Sequence, residues 1–196
     1  MDPLLLTLTL FGRLLSERPT EKNQELRTHL SHVTEWVEWP NRDEVDTWFA
    51  SMPSENLKDL EYQFSVLFEG QGHMKCPPWG SVYQTKENIV FGESTIQYRQ
   101  FMQQNGYQLD SENREPEDQF GLMLLSFCQL LTDGKNEVAQ VLLTDHLMPW
   151  GQRYLELLSE NNSSRFYQVV ALLTKTLLNE LCDEFGLKVK EVRLFL

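Results

Sequence analysis

The chain has 196 residues and a formal net charge of −12, with a sequence pI near 4.8. That length suits one domain spanning 1–196 with a substantial core. The acidic balance argues against non-specific nucleic-acid binding, which draws on Lys and Arg displacing counterions. It favours basic partners through steering, although solubility alone is the simpler account of the charge.

The start, Asp2-Pro3 followed by Leu4, Leu5, Leu6, Leu8, Leu10 and Phe11, is apolar enough to resemble a secretory signal. It lacks a basic leading region and a small-residue cleavage site. Asp2 before Pro3 reads instead as a helix N-cap with proline at the first helical position. No apolar run reaches the ~18–20 residues of a membrane span.

Leu26, Leu30, Val33 and Val37 recur at the spacing of one helical face, and Pro40 ends that segment. Val45, Trp48 and Phe49 form a short amphipathic turn. Pro53 is expected to start a helix with Leu57, Leu60, Phe64, Leu67 and Phe68 inward, stopped by Gly70 and Gly72. Residues 69–93 then show no helical period. Unstructured connections longer than about 12–15 residues are uncommon in compact domains and are usually functional or disordered. This one, with Trp79, Val82, Tyr83, Ile89, Val90 and Phe91, is too apolar for disorder and must pack or fold into short turns.

Ser94 is expected to cap the next helix, carrying Ile96, Tyr98, Phe101 and Met102 and ending at Gly106. An acidic connection follows. Pro116 then falls in the first turn of a helix reaching about 132, apolar nearly all round and therefore central. After Gly134 come helices bearing Val138, Val141 and Leu142, then Pro149 and Trp150, then a long one over about 164–185 with Gly186 after it. The tail from Lys188 to Leu196 alternates in part and could be extended. The fold class is all-α: a single-domain helical bundle with a long mid-chain loop.

Cys76, Cys128 and Cys182 form no CxxC motif, and three thiols cannot all pair. Cys128 and Cys182 read as buried small hydrophobes, and a reducing, cytoplasmic setting fits. Cys76 falls in the loop and is the one conceivable reactive thiol. His29 and His32 have metal-compatible spacing, but no Cys or acidic pair completes a site, so they read as a solvated helix face. His146 reads as a histidine near a helix end, favoured by the dipole. His73 has no triad partner. Ser81 is not in a G-x-S-x-G elbow, and no phosphate-cradling glycine motif occurs. No catalytic residue, metal ligand or cofactor is assigned, and an enzyme is not expected.

The acidic cluster Asp110, Glu112, Glu115, Glu117 and Asp118 has two readings, both open. One is helix N-terminal charge complementing the macrodipole. The other is a docking point for a basic peptide, with bidentate Arg–carboxylate pairing. Trp79, Tyr83 and Phe91 are likewise either core or a rigid peptide platform.

The motifs Pro77-Pro78-Trp79-Gly80-Ser81-Val82-Tyr83, Phe91-Gly92-Glu93-Ser94-Thr95, Glu115-Pro116-Glu117-Asp118-Gln119-Phe120-Gly121, His146-Leu147-Met148-Pro149-Trp150 and Phe166-Tyr167 resemble, in order, those of the TorD/DmsD family, nearest to its DmsD members. The resemblance implies a helical cytoplasmic chaperone that binds the twin-arginine signal peptide of a molybdoenzyme catalytic subunit, of dimethyl sulfoxide reductase type. It would delay export until the cofactor is inserted. It implies contact with the Tat translocase, and a monomer or domain-swapped dimer. The signal-peptide-binding surface carried over comprises Leu67, Phe68, Trp79, Tyr83, Gly92, Pro116, Asp118 and Gln119. Gln119 stands where such sequences usually carry histidine, and Gly72 where they can carry an aromatic. Alternatives are a chaperone for a non-exported nitrate reductase-type enzyme, or a structural helical subunit that binds no peptide. Asp118 is expected to expose its carboxylate in the first turn of the Pro116 helix.

Overall fold

Helix α1 (Pro3–Ser16) starts as the Asp2-Pro3 pair predicts. Asp2 Oδ1 accepts the Leu4 N–H at 2.9 Å, and Pro3 takes the first helical position, where a missing N–H costs nothing. Leu8, Phe11 and Leu15 are fully buried, so the apolar start of the chain is core. The computed structural model describes residues 2–72, 74–108 and 115–196; His73, Asp110, Glu112 and Arg114 lie outside them.

The run from Leu26 to Val37 is not one helix. After a 3₁₀ turn (Glu21–Asn23) it divides into α2 (Glu25–Leu30) and α3 (Val33–Trp36). Leu26, Leu30 and Val33 all remain buried across the break. Helix α4 spans Arg42–Ala50, and α5 spans Leu57–Phe68. The latter starts at Asn56 rather than Pro53, because Asn56 Oδ1 can accept the Asp59 N–H at 3.0 Å and proline has no side-chain acceptor.

The mid-chain loop contains a short helix, α6 (Gly80–Gln84). Helix α7 (Glu93–Gln104) begins one residue before Ser94, with Gly92 at its cap. A Cβ on Gly92 would lie 2.8 Å from Thr85 Cγ2 and 3.2 Å from Ser81 Cβ, so glycine lets the loop end seat tightly on α6. Helix α8 (Phe120–Thr132) starts after Pro116 and not at it. Pro116 instead opens a turn in which its carbonyl accepts the Gln119 N–H at 3.0 Å, and the Gln119 side chain caps α8 by accepting the Leu122 N–H at 2.8 Å.

Helix α9 (Asn136–Val141), a π-helical segment (Leu142–Leu147) and α10 (Met148–Ser159) run on without interruption. His146 therefore sits at no free helix terminus, which removes the dipole reading. Helix α11 (Arg165–Glu184) is capped by Ser164, whose Oγ accepts the Tyr167 N–H at 3.2 Å, and Gly186 follows with φ +59°. Residues 187–196 form no strand. They are tied down by the Lys190 N–H to Thr144 O at 3.0 Å and the Phe195 N–H to Tyr83 O at 2.8 Å. Among the described residues no strand occurs, only an isolated antiparallel bridge between Trp79 and Gln119.

The buried side chains make one continuous cluster, organised by two helix pairs, α1 on α8 and α10 on α11. The first pair is close because Gly12 faces Gly121. A Cβ on Gly121 would lie 2.6 Å from Gly12 O and 2.9 Å from Leu15 C, and neither backbone atom can swing away. Gly121→Ala is expected to cost at least about 1–3 kcal/mol through overpacking, while Gln103→Ala on the exposed face of α7 should stay within about 0.5 kcal/mol. Urea denaturation of both variants checks this; equal midpoints would mean the helices part at no cost.

Candidate functional site

Two distant segments meet at the Trp79–Gln119 bridge. Gly80 N–H donates to Asp118 O at 3.0 Å, and Phe120 N–H donates to Pro78 O at 2.8 Å. Side chains reinforce the contact. Trp79 Nε1 donates to Glu115 Oε1 at 2.6 Å, and Asp118 Oδ2 accepts the Ser81 N–H at 2.6 Å. Asp118 thus satisfies an orphan N–H in the first turn of α6. It is not exposed in the first turn of α8, as the sequence reading expects. It is 2% exposed, because the turn at Pro116 folds it back under the 79–81 backbone.

Burial pushes the Asp118 carboxyl above its ordinary range, against the opposing pull of the Ser81 N–H and the neighbouring hydroxyls of Ser81 and Thr95. Those hydroxyls act on its charge, yet Asp118 Oδ1, Ser81 Oγ and Thr95 Oγ1 close no hydrogen bond of normal geometry. Glu117 behaves oppositely. Burial alone would raise it, but the Arg99 fork, with Nε and Nη2 each 2.8 Å from a carboxylate oxygen, holds it below the usual range.

Asp118 lines a cavity of about 80 Å³ whose wall includes Ser94, Tyr98, Asp145, His146 and Lys190. Ser94 Oγ and Tyr98 OH are also buried without a hydrogen-bond partner of normal geometry, although the Ser126 hydroxyl lies close enough to Tyr98 to affect it. Such orphaned groups are rare in native structures. His146 packs on the Phe101 ring, centroids 4.6 Å apart, and burial pulls it below its ordinary pKa.

Beside the cavity, the loop before α7 presents Ile89, Val90 and Phe91, which are 51%, 41% and 52% exposed, with exposed Ile96 on α7. Asn88 and Phe91 both have left-handed backbone, φ +50° and +58°, uncommon for non-glycine residues and rarer for a bulky one. Thr85 and Asn88 pin the base of the loop: Ile89 N–H donates to Thr85 Oγ1, and Asn88 Nδ2 donates to Val82 O. The backbone is thereby held where three apolar side chains face solvent.

Of the other residues expected to bind, Leu67 and Phe68 are core, with Phe68 packed edge-on to Tyr167. Tyr83 is fully buried against Trp150, and Gly92 and Pro116 are buried. Trp79 is half-buried. Gln119 spends both ends of its amide internally, on Leu122 N–H and on Leu15 O. Cys76 is buried and accepts from Asn161 Nδ2 at 3.2 Å, and burial raises its thiol pKa, so a reactive thiolate is disfavoured there.

The family model described as nitrate reductase delta subunit matches residues 17–156. The chain belongs to this family, which includes the TorD and DmsD chaperones. A Salmonella typhi protein named Tat proofreading chaperone DmsD is 34% identical over 140 residues, covering 71% of this chain and 69% of its own. A Haemophilus influenzae protein named probable Tat proofreading chaperone DmsD is 30% identical over the full length of both. A Shewanella pealeana protein named chaperone protein TorD is 24% identical over 83% of this chain and 76% of its own.

In this TorD/DmsD chain the sequence reading missed the cavity partners of Asp118. Ser94 and Tyr98 are four apart on α7, a spacing that places them on one face, but Asp145, His146 and Lys190 join them only through tertiary packing. Among the described residues no helix is long and apolar enough to cross a membrane, and no three His, Cys, Asp or Glu side chains form a metal-holding group.

The raised carboxyl pKa has a sign. Folded Asp118 holds its proton more readily than the unfolded chain does, so its contribution to stability falls as pH rises through the unfolded and then the folded value. Asp118→Asn keeps an acceptor for the Ser81 N–H and removes that slope. Thermal melts are expected to place the variant level with or above the parent at pH 7, with the difference shifting in the parent's favour toward pH 4. A variant whose deficit is larger at pH 7 than at pH 4 would show that the charged cap is net stabilising.

Proposed function

We propose that this protein is a cytoplasmic chaperone that binds the twin-arginine signal peptide of a molybdoenzyme precursor and delays export until the cofactor is in place. It performs no catalysis on its client. The observation that carries this reading is the juxtaposition, within residues 89–98, of an exposed apolar loop and a polar cavity floored by Asp118. A twin-arginine leader has the complementary order, a basic pair followed by an apolar stretch. The net charge of −12 favours approach of its basic end. The names of the relatives, Tat proofreading chaperone DmsD and chaperone protein TorD, support the same reading. Release at the membrane would then pass the folded client to the translocase.

The family description, nitrate reductase delta subunit, favours a second reading in which the client is a molybdoenzyme that is not exported. The two differ in whether the client carries a leader.

Calorimetric titration of the purified protein with a synthetic twin-arginine leader tests the first. Saturable binding is expected, weaker at high salt, where exposed charges are screened within the ~3 Å Debye length at 1 M against ~10 Å at 0.1 M. No binding at either salt, together with recovery from anaerobic cells of a leaderless molybdoenzyme, would favour the second.

A further inference from the structure

We propose that an apolar groove across the N-terminal end of α1 and the C-terminal end of α11 is a second docking surface, and that its occupant is an amphipathic helix of a protein partner, apolar on one face and flanked by Lys or Arg. The groove shares no lining residue with the Asp118 cavity.

It follows from the composition of α1. Leu4, Leu5 and Leu6 are consecutive, and at about 3.6 residues per turn they spread over more than half the circumference of the helix. One packed face cannot cover all three. Leu4 and Leu5 are only half-buried, and Phe185, the C-cap of α11, is 58% exposed. Together they wall a hollow of about 360 Å³, with Phe127 and Leu131 from α8 and Gln140 from α9. A second hollow of about 270 Å³ shares Asp2, Leu4 and Leu181 with the first and continues past Leu177 to Trp36 and Val37. Between Leu177 and Phe185 the chain rises about 12 Å along α11, room for about two turns of a docked helix.

Two features select the guest. The walls are mostly leucine and aromatic carbon. An extended segment would lay unpaired backbone N–H and C=O groups against them, whereas a helix satisfies its own backbone. The charges at the groove also have one sign. Asp2, Glu38, Glu180 and Glu184 line it, with no Lys, Arg or His among the described residues there. None of the four forms an ion pair among the described residues, whereas Glu17, Asp46, Glu69, Glu117 and Glu156 are all paired elsewhere. Lysine or arginine beside an apolar face is the complement. An anionic membrane surface would meet four carboxylates. A small apolar molecule would leave those carboxylates unused.

Calorimetry on the full chain tests this with a synthetic leucine–lysine helix of about 15 residues, its leucines on one face. A peptide of the same composition with its leucines out of helical phase is the control. Saturable binding of the first is expected, with the second at least about tenfold weaker. Phe185→Ser removes an exposed ring and is expected to weaken helix binding about tenfold. Glu180→Gln with Glu184→Gln is expected to weaken it about threefold at low salt and less at high salt. Glu21→Gln with Glu160→Gln makes the same charge change beyond the C-terminal ends of α1 and α10, away from the groove, and is expected to leave binding unchanged. Thermal melts confirm that each variant is folded. Equal binding of the two peptides overturns the proposal, as does helix binding that neither Phe185→Ser nor the Glu180 and Glu184 pair weakens. Competition between the helix and a twin-arginine leader would make the groove the leader site and also overturn it. So would a dimer in sedimentation, or binding to anionic vesicles, that Phe185→Ser abolishes, since a second copy or a membrane would then be the occupant.

Discussion

The clamp between Pro78–Gly80 and Asp118–Phe120 is the contact on which the candidate site depends. Two backbone hydrogen bonds, the Asp118 carboxylate on Ser81 N–H and the Trp79 indole on Glu115 join segments nearly forty residues apart. The first segment leads only into the short α6, whereas the second leads directly into α8. Gln119 extends the clamp into the core by capping α8 with one end of its amide and donating to Leu15 O at the end of α1 with the other. The close seating of α1 on α8 at Gly12 and Gly121 thereby fixes the height of the clamp, and the clamp fixes α6 and the loop after it.

This arrangement decides the electrostatics. An acid placed at a helix terminus in water would be a weak, screened contact. Folded under α6, the same carboxylate is buried and raised in pKa, and the low local dielectric strengthens whatever interactions it makes. Separating the cavity from the apolar loop gives two surfaces of opposite character joined by the few residues between Phe91 and Ser94. A larger groove of about 360 Å³, lined by Leu4, Leu5, Phe127, Leu131, Leu181 and Phe185, lies at the far ends of α1 and α11. Its wall is mainly apolar, with Asp2, Asn136 and Gln140 as its polar members.

Much of the helical framework is readable from the chain. The Asp2-Pro3 start and the Gly186 stop are local chemistry, and they occur where the residues put them. Helix starts assigned to prolines were less faithful. Asn56 and Gln119 displaced Pro53 and Pro116, because a side-chain acceptor satisfies an N–H that proline merely lacks. Periodicity over 26–37 identified the buried face but not the break within it. The motifs pointed to the correct family and singled out Asp118 as a candidate. They could not show that its carboxylate turns away from solvent, since that follows from a hydrogen bond to Ser81 across the clamp. Periodicity puts Leu67 and Phe68 on the inner face of α5, where they are core, but nothing in the pattern reveals that Tyr83 is core while Ile89, Val90 and Phe91 are exposed. Apolar residues in a loop carry no periodicity that distinguishes in from out.

The central claim is that a leader peptide binds where the apolar loop meets the cavity. Backbone amide shifts in a ¹⁵N-labelled sample titrated with a twin-arginine leader test it most directly. The account predicts that perturbations concentrate at residues 81–98, at Asp118, at Asp145 and His146, and at Lys190. Shifts confined to the groove around Leu4, Phe127 and Phe185, with Asp118 and Tyr98 unmoved, would contradict it.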